Sequence, residues 1–218
     1  EVMTDRMDYL NPIGNNLAFC LAVEKLVELD VPPRAQAIRV ILAELTRVNS
    51  HLVWLGTSGL DLAAMSVFLY CMREREKILD ILELVSGARL TTSYIRPGGI
   101  WKDVPPSFEE HVGQFIAQFP QQIDDFERMV TDSPVWKART VGIGVVNAEQ
   151  GQSLMLTGPL LRAAGLAFDW RKNRPYSGYE NYDFKIPVFT DGDGYSRYLV
   201  RIEEMRQSNR IVRQCVEG

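Results

Sequence analysis

Cysteine and histidine are scarce in this chain. Its 218 residues hold three cysteines and two histidines, Cys20, Cys71, Cys215, His51 and His111. The cysteines lie far apart and form no C-x-x-C pair. Disulfide scaffolds, zinc ribbons and self-contained iron–sulfur sites need more ligands at tighter spacing, and are excluded. Three reduced, mostly buried thiols remain as the reading, with no metal held by this chain. Long apolar runs are missing too: the longest, Leu62 to Met72, falls well short of the ~20 residues a membrane span needs. Nor is there an excess of positive charge. With 24 basic against 28 acidic residues and a formal charge of −4, the chain lacks the electrostatic footprint of a nucleic-acid platform. No signal or transit peptide is expected at its start, and an opening Glu1 in place of methionine points to a fragment or a processed piece.

What is present is ordinary globular material, 46% hydrophobic and 24% charged, enough to offset the entropy of ordering a core. The length suits one large domain or two small ones. Apolar residues recur at helical spacing from Asn11 to Leu29, opened by the cap pair Asn11-Pro12. After Pro32-Pro33 a second helix is expected over 34–57, with Ile38, Ile41, Leu42, Leu45, Val48, Leu52 and Leu55 in one stripe. Gly56 and Gly59 bracket an expected turn, and a third helix follows over 60–86, ended by Gly87. Arg96-Pro97-Gly98-Gly99 reads as an ordered loop. A fourth helix over 106–131 carries Phe108, Val112, Phe115, Ile116, Phe119, Ile123, Phe126 and Met129, with Pro120 expected to kink or divide it. Beyond Arg139 the texture becomes glycine-rich. Phe184 to Phe189 is the best strand candidate, and 195–217 is the last helix. The architecture is mainly α, a long-helix bundle over 11–139 with a small irregular or β insertion over 140–194 before the final helix.

Two glycine motifs carry little. Gly142-x-Gly144 lacks the third glycine of a dinucleotide fingerprint, since position 147 is asparagine. Asp191-Gly-Asp-Gly lacks the later ligands of a calcium loop and reads as a tight turn. Asp61 says more, because it opens an apolar run where an unpaired carboxylate is costly. One reading makes it the cap of the third helix. The other notes that His51 and Asp61 stand five residues either side of Gly56, so a hairpin there would bring imidazole and buried carboxylate together as a proton-handling pair. Spacing leaves both open. Tyr9, at a loop–helix junction, is not singled out by spacing alone.

Taken together, the motifs resemble one family. Asp5-Arg-Met-Asp-Tyr-Leu, Ala22-Val-Glu-Lys-Leu, Ser50-His-Leu-Val-Trp-Leu-Gly-Thr, Phe68-Leu-Tyr-Cys-Met-Arg-Glu-Arg-Glu, Tyr94-Ile-Arg-Pro-Gly-Gly, Arg174-Pro-Tyr-Ser-Gly-Tyr-Glu and Leu199-Val-Arg-Ile-Glu-Glu-Met-Arg-Gln-Ser form an ordered series along the chain. The series resembles the 49 kDa subunit of respiratory NADH:quinone oxidoreductase, complex I, a family similar in fold to the large subunit of nickel–iron hydrogenases. The resemblance implies that Tyr9 hydrogen-bonds a quinone headgroup. It further implies that Asp61 pairs with a catalytic histidine from an amino-terminal His-Arg-Gly motif that this sequence does not contain. His51, Met65 and Phe68 are expected as pocket or supporting residues.

The implied chemistry is reduction of a quinone substrate, coupled to proton translocation, with electrons from an iron–sulfur cluster on a partner subunit and NADH used elsewhere in the complex. The implied partners are the cluster-bearing small subunit, a 30 kDa-type peripheral subunit and a quinone-channel membrane subunit. The implied location is peripheral, on the cytoplasmic side of the bacterial inner membrane. The alternative is a non-catalytic hydrogenase-like scaffold for an iron–sulfur partner. A central fragment of such a subunit is also expected to leave apolar area uncovered around Met65, Phe68 and the fourth helix.

Overall fold

Asn11 and Pro12 start the first helix as their chemistry suggests. The Asn11 side chain accepts from the Gly14 N–H at 3.2 Å, and α1 runs Pro12–Val27 before Glu28 ends it in a left-handed conformation. A computed structural model describes residues 2–218 and contains, in order, α1, α2 (Pro33–Asp61), α3 (Met65–Ser86), the strands β1 (Ile95–Arg96) and β2 (Gly99–Ile100), and α4 (Phe108–Val130). The short helices α5 (Pro134–Thr140), α6 (Ala148–Ser153), α7 (Gly158–Ala163) and α8 (Trp170–Asn173) lead to the long closing helix α9 (Gly194–Glu217). The protein is mainly α, as the periodicities require.

The second helix is the axis of the fold, packing most extensively against α3 and α9. Leu42, Leu45, Leu52 and Leu55 from α2, Ile78 and Leu82 from α3, Phe119 and Phe126 from α4, and Tyr198 and Met205 from α9 share one apolar cluster. A smaller cluster of Val40, Tyr179, Phe184 and Ile211 seals the insertion onto α2 and α9. No helix among the described residues is long and apolar enough to cross a membrane.

Three local expectations are corrected. The second helix does not turn at Gly56 and Gly59 but continues to Asp61, and α3 begins only at Met65. The two glycines are there for close packing: a Cβ on Gly56 would lie 3.3 Å from Cys71 Cβ, and one on Gly59 3.1 Å from Val67 Cβ. Pro120 does not divide α4. Its missing N–H leaves the Ile116 carbonyl without its helical donor, and the buried Asn209 amide of α9 donates to that oxygen at 3.2 Å instead. Phe184 to Phe189 forms no strand. Its extended backbone bonds elsewhere, Lys185 N–H to the Gln207 side chain at 2.9 Å and Phe189 N–H to the Arg162 carbonyl at 3.0 Å. The β-structure is instead the antiparallel ribbon β1–β2 around Pro97-Gly98.

That ribbon is bolted to the bundle. Buried Arg39 on α2 donates to the carbonyls of Gly99 at 2.9 Å and Arg96 at 2.7 Å, and pairs with Glu24 on α1. Glu24 in turn accepts from the Gly98 N–H at 2.8 Å. The Asp191-Gly-Asp-Gly motif is a tight turn, with Gly192 at φ 64°. Asp193 caps α9 through the Ser196 N–H and also receives the Gly142 N–H, both at 2.7 Å.

Candidate functional site

Tyr9 lies on a short segment fixed at both ends. Upstream, a single 3-10 turn over Thr4–Arg6 holds Asp5, which is fully buried. Its carboxylate accepts from Asn16 Nδ2 at 2.7 Å, from Ser93 N–H at 3.0 Å and from the Ser93 hydroxyl. Downstream, Asp8 folds an Asx turn, accepting from Leu10 N–H at 3.0 Å, and Asn11 caps α1. Between these anchors the Tyr9 side chain is 64% exposed, and its hydroxyl has no partner among the described residues.

Asp61 is not where either spacing argument put it. It is the last residue of α2 and exposed, not a buried carboxylate. The third helix is capped at Ala64 without a side-chain bond, so Asp61 does not cap it either. Because α2 is continuous, His51 and Asp61 stand about 15 Å apart along one axis and about 80° apart around it, not facing each other across a hairpin. The Asp61 side chain makes no hydrogen bond or ion pair with any described residue, and the last turn of α2 contains no basic residue. It closes a stripe on a helix otherwise mostly buried along its middle. Arg47, Ser50, Trp54, Ser58 and Asp61, spaced three and four apart, share one half-exposed to exposed face. Arg201 of α9 lies over the Trp54 ring at 4.0 Å, and its burial lowers its pKa to about 10. Next to Asp61, Ala63 is held at φ 64°. Met65 is 62% exposed and Phe68 half-buried.

His51 points the other way, into a buried ionic network. Its Nε2 is 2.7 Å from Glu204 Oε2, and the other Glu204 oxygen receives Arg162 Nε at 2.7 Å. Burial lowers the His51 pKa, outweighing the hydrogen bond and the charge of Glu204, which act to raise it. Two helical turns back, Glu44 is fully buried, receiving Arg171 at 3.0 Å and the Tyr179 and Ser208 hydroxyls at 2.6 Å each. Burial alone would raise both carboxyls, yet their cationic and hydrogen-bonding partners hold each down to about 2. Clefts of about 250 and 310 Å³ flank Arg47, the larger walled by Asn11, Gly14, Leu17, Trp170 and Tyr176. Neither is lined by Tyr9 or Asp61. Among the described residues no group of three or more His, Cys, Asp or Glu is arranged to hold a metal ion.

A family described as the respiratory-chain NADH dehydrogenase 49 kDa subunit matches residues 61–218. The chain is also 60% identical over 216 residues to a D-type NADH-quinone oxidoreductase subunit of Chloroflexus aurantiacus, covering 99% of this chain and 53% of that protein. It is 56% identical over 216 residues to the corresponding D-type subunit of Solibacter usitatus, with the same two coverages. Against the one from Trichlorobacter lovleyi the identity is 51% over 215 residues, 99% of this chain and 55% of that one. The chain belongs to the 49 kDa subunit family. It spans about half the length of these curated relatives.

Membership in the 49 kDa family accounts for the ordered motif series, but the structure adds residues that no motif reading singled out. Asp5, Glu44 and Glu204 are carboxylates that organise the polar interior; Asp5 and Glu204 stand inside motifs of the series, but neither was singled out within them. The available signal was a charged residue inside an apolar helical stripe, as at Glu44 between Leu42 and Leu45. Its partners Arg171 and Ser208 lie 127 and 164 residues away, so spacing could not supply them.

Proposed function

We propose that this chain forms part of the quinone-reducing site of a respiratory NADH:quinone oxidoreductase. In that site Tyr9 donates its phenol hydrogen bond to a quinone carbonyl, and Asp61 holds and tunes a histidine that the family's His-Arg-Gly motif supplies from outside this sequence. The observation that carries the reading is that these two groups are polar, partnerless and accessible, while being mounted on firmly anchored backbone. A polar group presented in this way on a rigid element is suited to a ligand or a partner.

Reduction of a quinone to a quinol takes two electrons and two protons. The electrons arrive from an iron–sulfur cluster on a partner subunit, and NADH is oxidised elsewhere in the assembly. This chain orients the headgroup and handles protons. The Tyr9 O–H passes its proton to one carbonyl oxygen as negative charge develops there and is reprotonated from solvent, and the histidine whose proton affinity Asp61 raises passes the second proton to the other oxygen. Met65 and Phe68, following closely on Asp61, supply apolar wall. In this reading the subunit is peripheral, on the cytoplasmic face of the bacterial inner membrane, with cluster-bearing, 30 kDa-type and membrane subunits as neighbours.

The test is Tyr9→Phe and Asp61→Asn in the assembled complex, comparing quinone reduction with NADH oxidation by an artificial acceptor that bypasses the quinone. Both variants are expected to assemble and keep the bypass activity. Quinone turnover should fall about tenfold or more, as for a lost general acid–base group. Equal loss of both activities, or loss of neither, would remove the assignment and leave a scaffold for an iron–sulfur partner.

A further inference from the structure

The upstream anchoring of Tyr9 depends on one residue. We propose that Asp5 is a positioning residue for quinone reduction, a buried carboxylate clip that sets the Tyr9 hydroxyl; this rests on the assignment of Tyr9 to the quinone headgroup. Three donors converge on Asp5. Asn16 Nδ2 comes from α1 at 2.7 Å, and Ser93 N–H at 3.0 Å and the Ser93 hydroxyl come from the loop before β1. The Asp5 side chain has no exposed surface, so this carboxylate faces protein alone. It therefore joins three pieces of chain that are far apart in sequence: the Tyr9 segment, the first turns of α1, and the loop leading into the Arg39-held ribbon.

Two details mark the clip as more than a chance contact. Ser93 is a non-glycine residue at φ 41°, and Thr91 two residues earlier is at φ 46°, conformations that L-residues adopt only when their surroundings over-determine them. In this conformation Ser93 gives both its N–H and its O–H to one Asp5 oxygen. Asn16 is itself oriented, because its Oδ1 accepts from the Thr4 hydroxyl while its Nδ2 serves Asp5. The network thus ties residues 4 and 5 to α1 on one side and the ribbon on the other. Four residues on, Tyr9 inherits that register, having no side-chain hydrogen bond of its own to set it.

The clip predicts how substitutions behave. Asp5→Ala removes all three bonds. Ser93→Ala removes only the hydroxyl bond and leaves the carboxylate with two donors. If Asp5 acts through Tyr9, the KM for a short-tailed benzoquinone should rise about tenfold in Asp5→Ala, since displacement of a positioned group by a fraction of an ångström costs on that order. The rise should be smaller in Ser93→Ala, with bypass activity unchanged in both. The decisive measurement is a double-mutant cycle in the assembled complex, using kcat/KM for that quinone in Tyr9→Phe, Asp5→Ala and the double variant.

We expect the double variant to match Tyr9→Phe alone, because a misplaced phenylalanine has no hydroxyl left to misplace. Multiplying effects would overturn the clip and make Asp5 a structural residue only. If Tyr9→Phe by itself changes nothing, the quinone assignment of Tyr9 fails first and the clip fails with it. Should Asp5→Ala not assemble, the same cycle with Ser93→Ala decides: a wild-type KM in Ser93→Ala overturns the proposal.

Discussion

Asp61 sits where its charge works against the helix that carries it. A carboxylate in the last turn of a helix faces the negative end of the backbone dipoles, at a cost of ~0.3–1 kcal/mol, and no basic residue in that turn offsets it. Asp61→Asn should therefore leave this chain as stable or slightly more stable in urea unfolding while quinone turnover in the complex collapses. A loss of stability would mean that the carboxylate has a structural partner after all. Glu44 has the opposite character. Glu44→Ala strands the buried Tyr179 and Ser208 hydroxyls and leaves Arg171 with Asp169 as its carboxylate partner; each unsatisfied buried group costs ~1–3 kcal/mol, readable as a shift of the urea midpoint at pH 7.

The same residues set the acid limb of stability. Glu44 and Glu204 are held at about 2 against an ordinary 4.5. Their stabilisation is complete above about 4.5 and is lost as pH falls from there toward 2, because the unfolded chain takes up protons first. His51, with its pKa lowered, adds in the same direction at higher pH. Below its ordinary 6.5 the unfolded imidazole is protonated while the folded one resists, so stability declines as pH drops through that value. His51→Gln should remove the decline through 6.5 and also soften the part below 4.5, because His51 is among the partners that hold Glu204 down, as chemical denaturation across pH would show.

At the scale of elements, the four long helices answer to their apolar stripes, while their joints answer to single residues. Gly113 lies in α4 with nothing within 4 Å of where an added methyl would stand, whereas a methyl on Gly59 would stand 3.1 Å from Val67 Cβ and 3.4 Å from the Ala64 carbonyl oxygen. Both sit inside helices. Gly113→Ala should gain ~1 kcal/mol of helix propensity, and Gly59→Ala should lose ~1–3 kcal/mol by overpacking α2 against α3, a contrast of sign visible in thermal unfolding. The Pro120–Asn209 pair gives a second contrast. Asn209→Ala strands the Ile116 carbonyl and should cost ~1–3 kcal/mol. In a Pro120→Ala background the restored helical N–H satisfies that oxygen, and the penalty should shrink.

Among the described residues, apolar side chains stay exposed in several places. Leu60, Met65 and Leu69 are exposed at the α2–α3 joint, and Val141, Ile143, Leu154 and Met155 along the insertion. The aromatic fourth helix, expected among the uncovered surfaces, is not one of them: Phe108, Phe115, Phe119 and Phe126 are all buried, and α4 packs against α3 and α9. Exposed apolar patches of a few hundred Å² commonly mark interfaces. This chain, purified by itself, is expected to self-associate, with Met65→Lys and Leu69→Lys together restoring a monomer by light scattering. A monomer without those changes would show the α2–α3 face to be too small to drive association.

Local and cumulative signals were legible along the chain. The 3.6-residue apolar periods marked the four long helices and the last one, Asn11-Pro12 marked a helix start, and the ordered motifs marked the family. Each of these depends on residues within a few turns of one another, or on many weak matches summed over the whole length. Packing settled the rest. A glycine pair can mean a turn or a close approach, and only the presence of Val67 and Cys71 opposite Gly59 and Gly56 chose the second. That choice lengthened α2, separated His51 from Asp61 and brought Asp61 to the surface. His51 found Glu204 across 153 residues, and Asp5 found Ser93 across 88. Such pairings are set by how helices pack, and the spacing of residues along the chain carries no record of them.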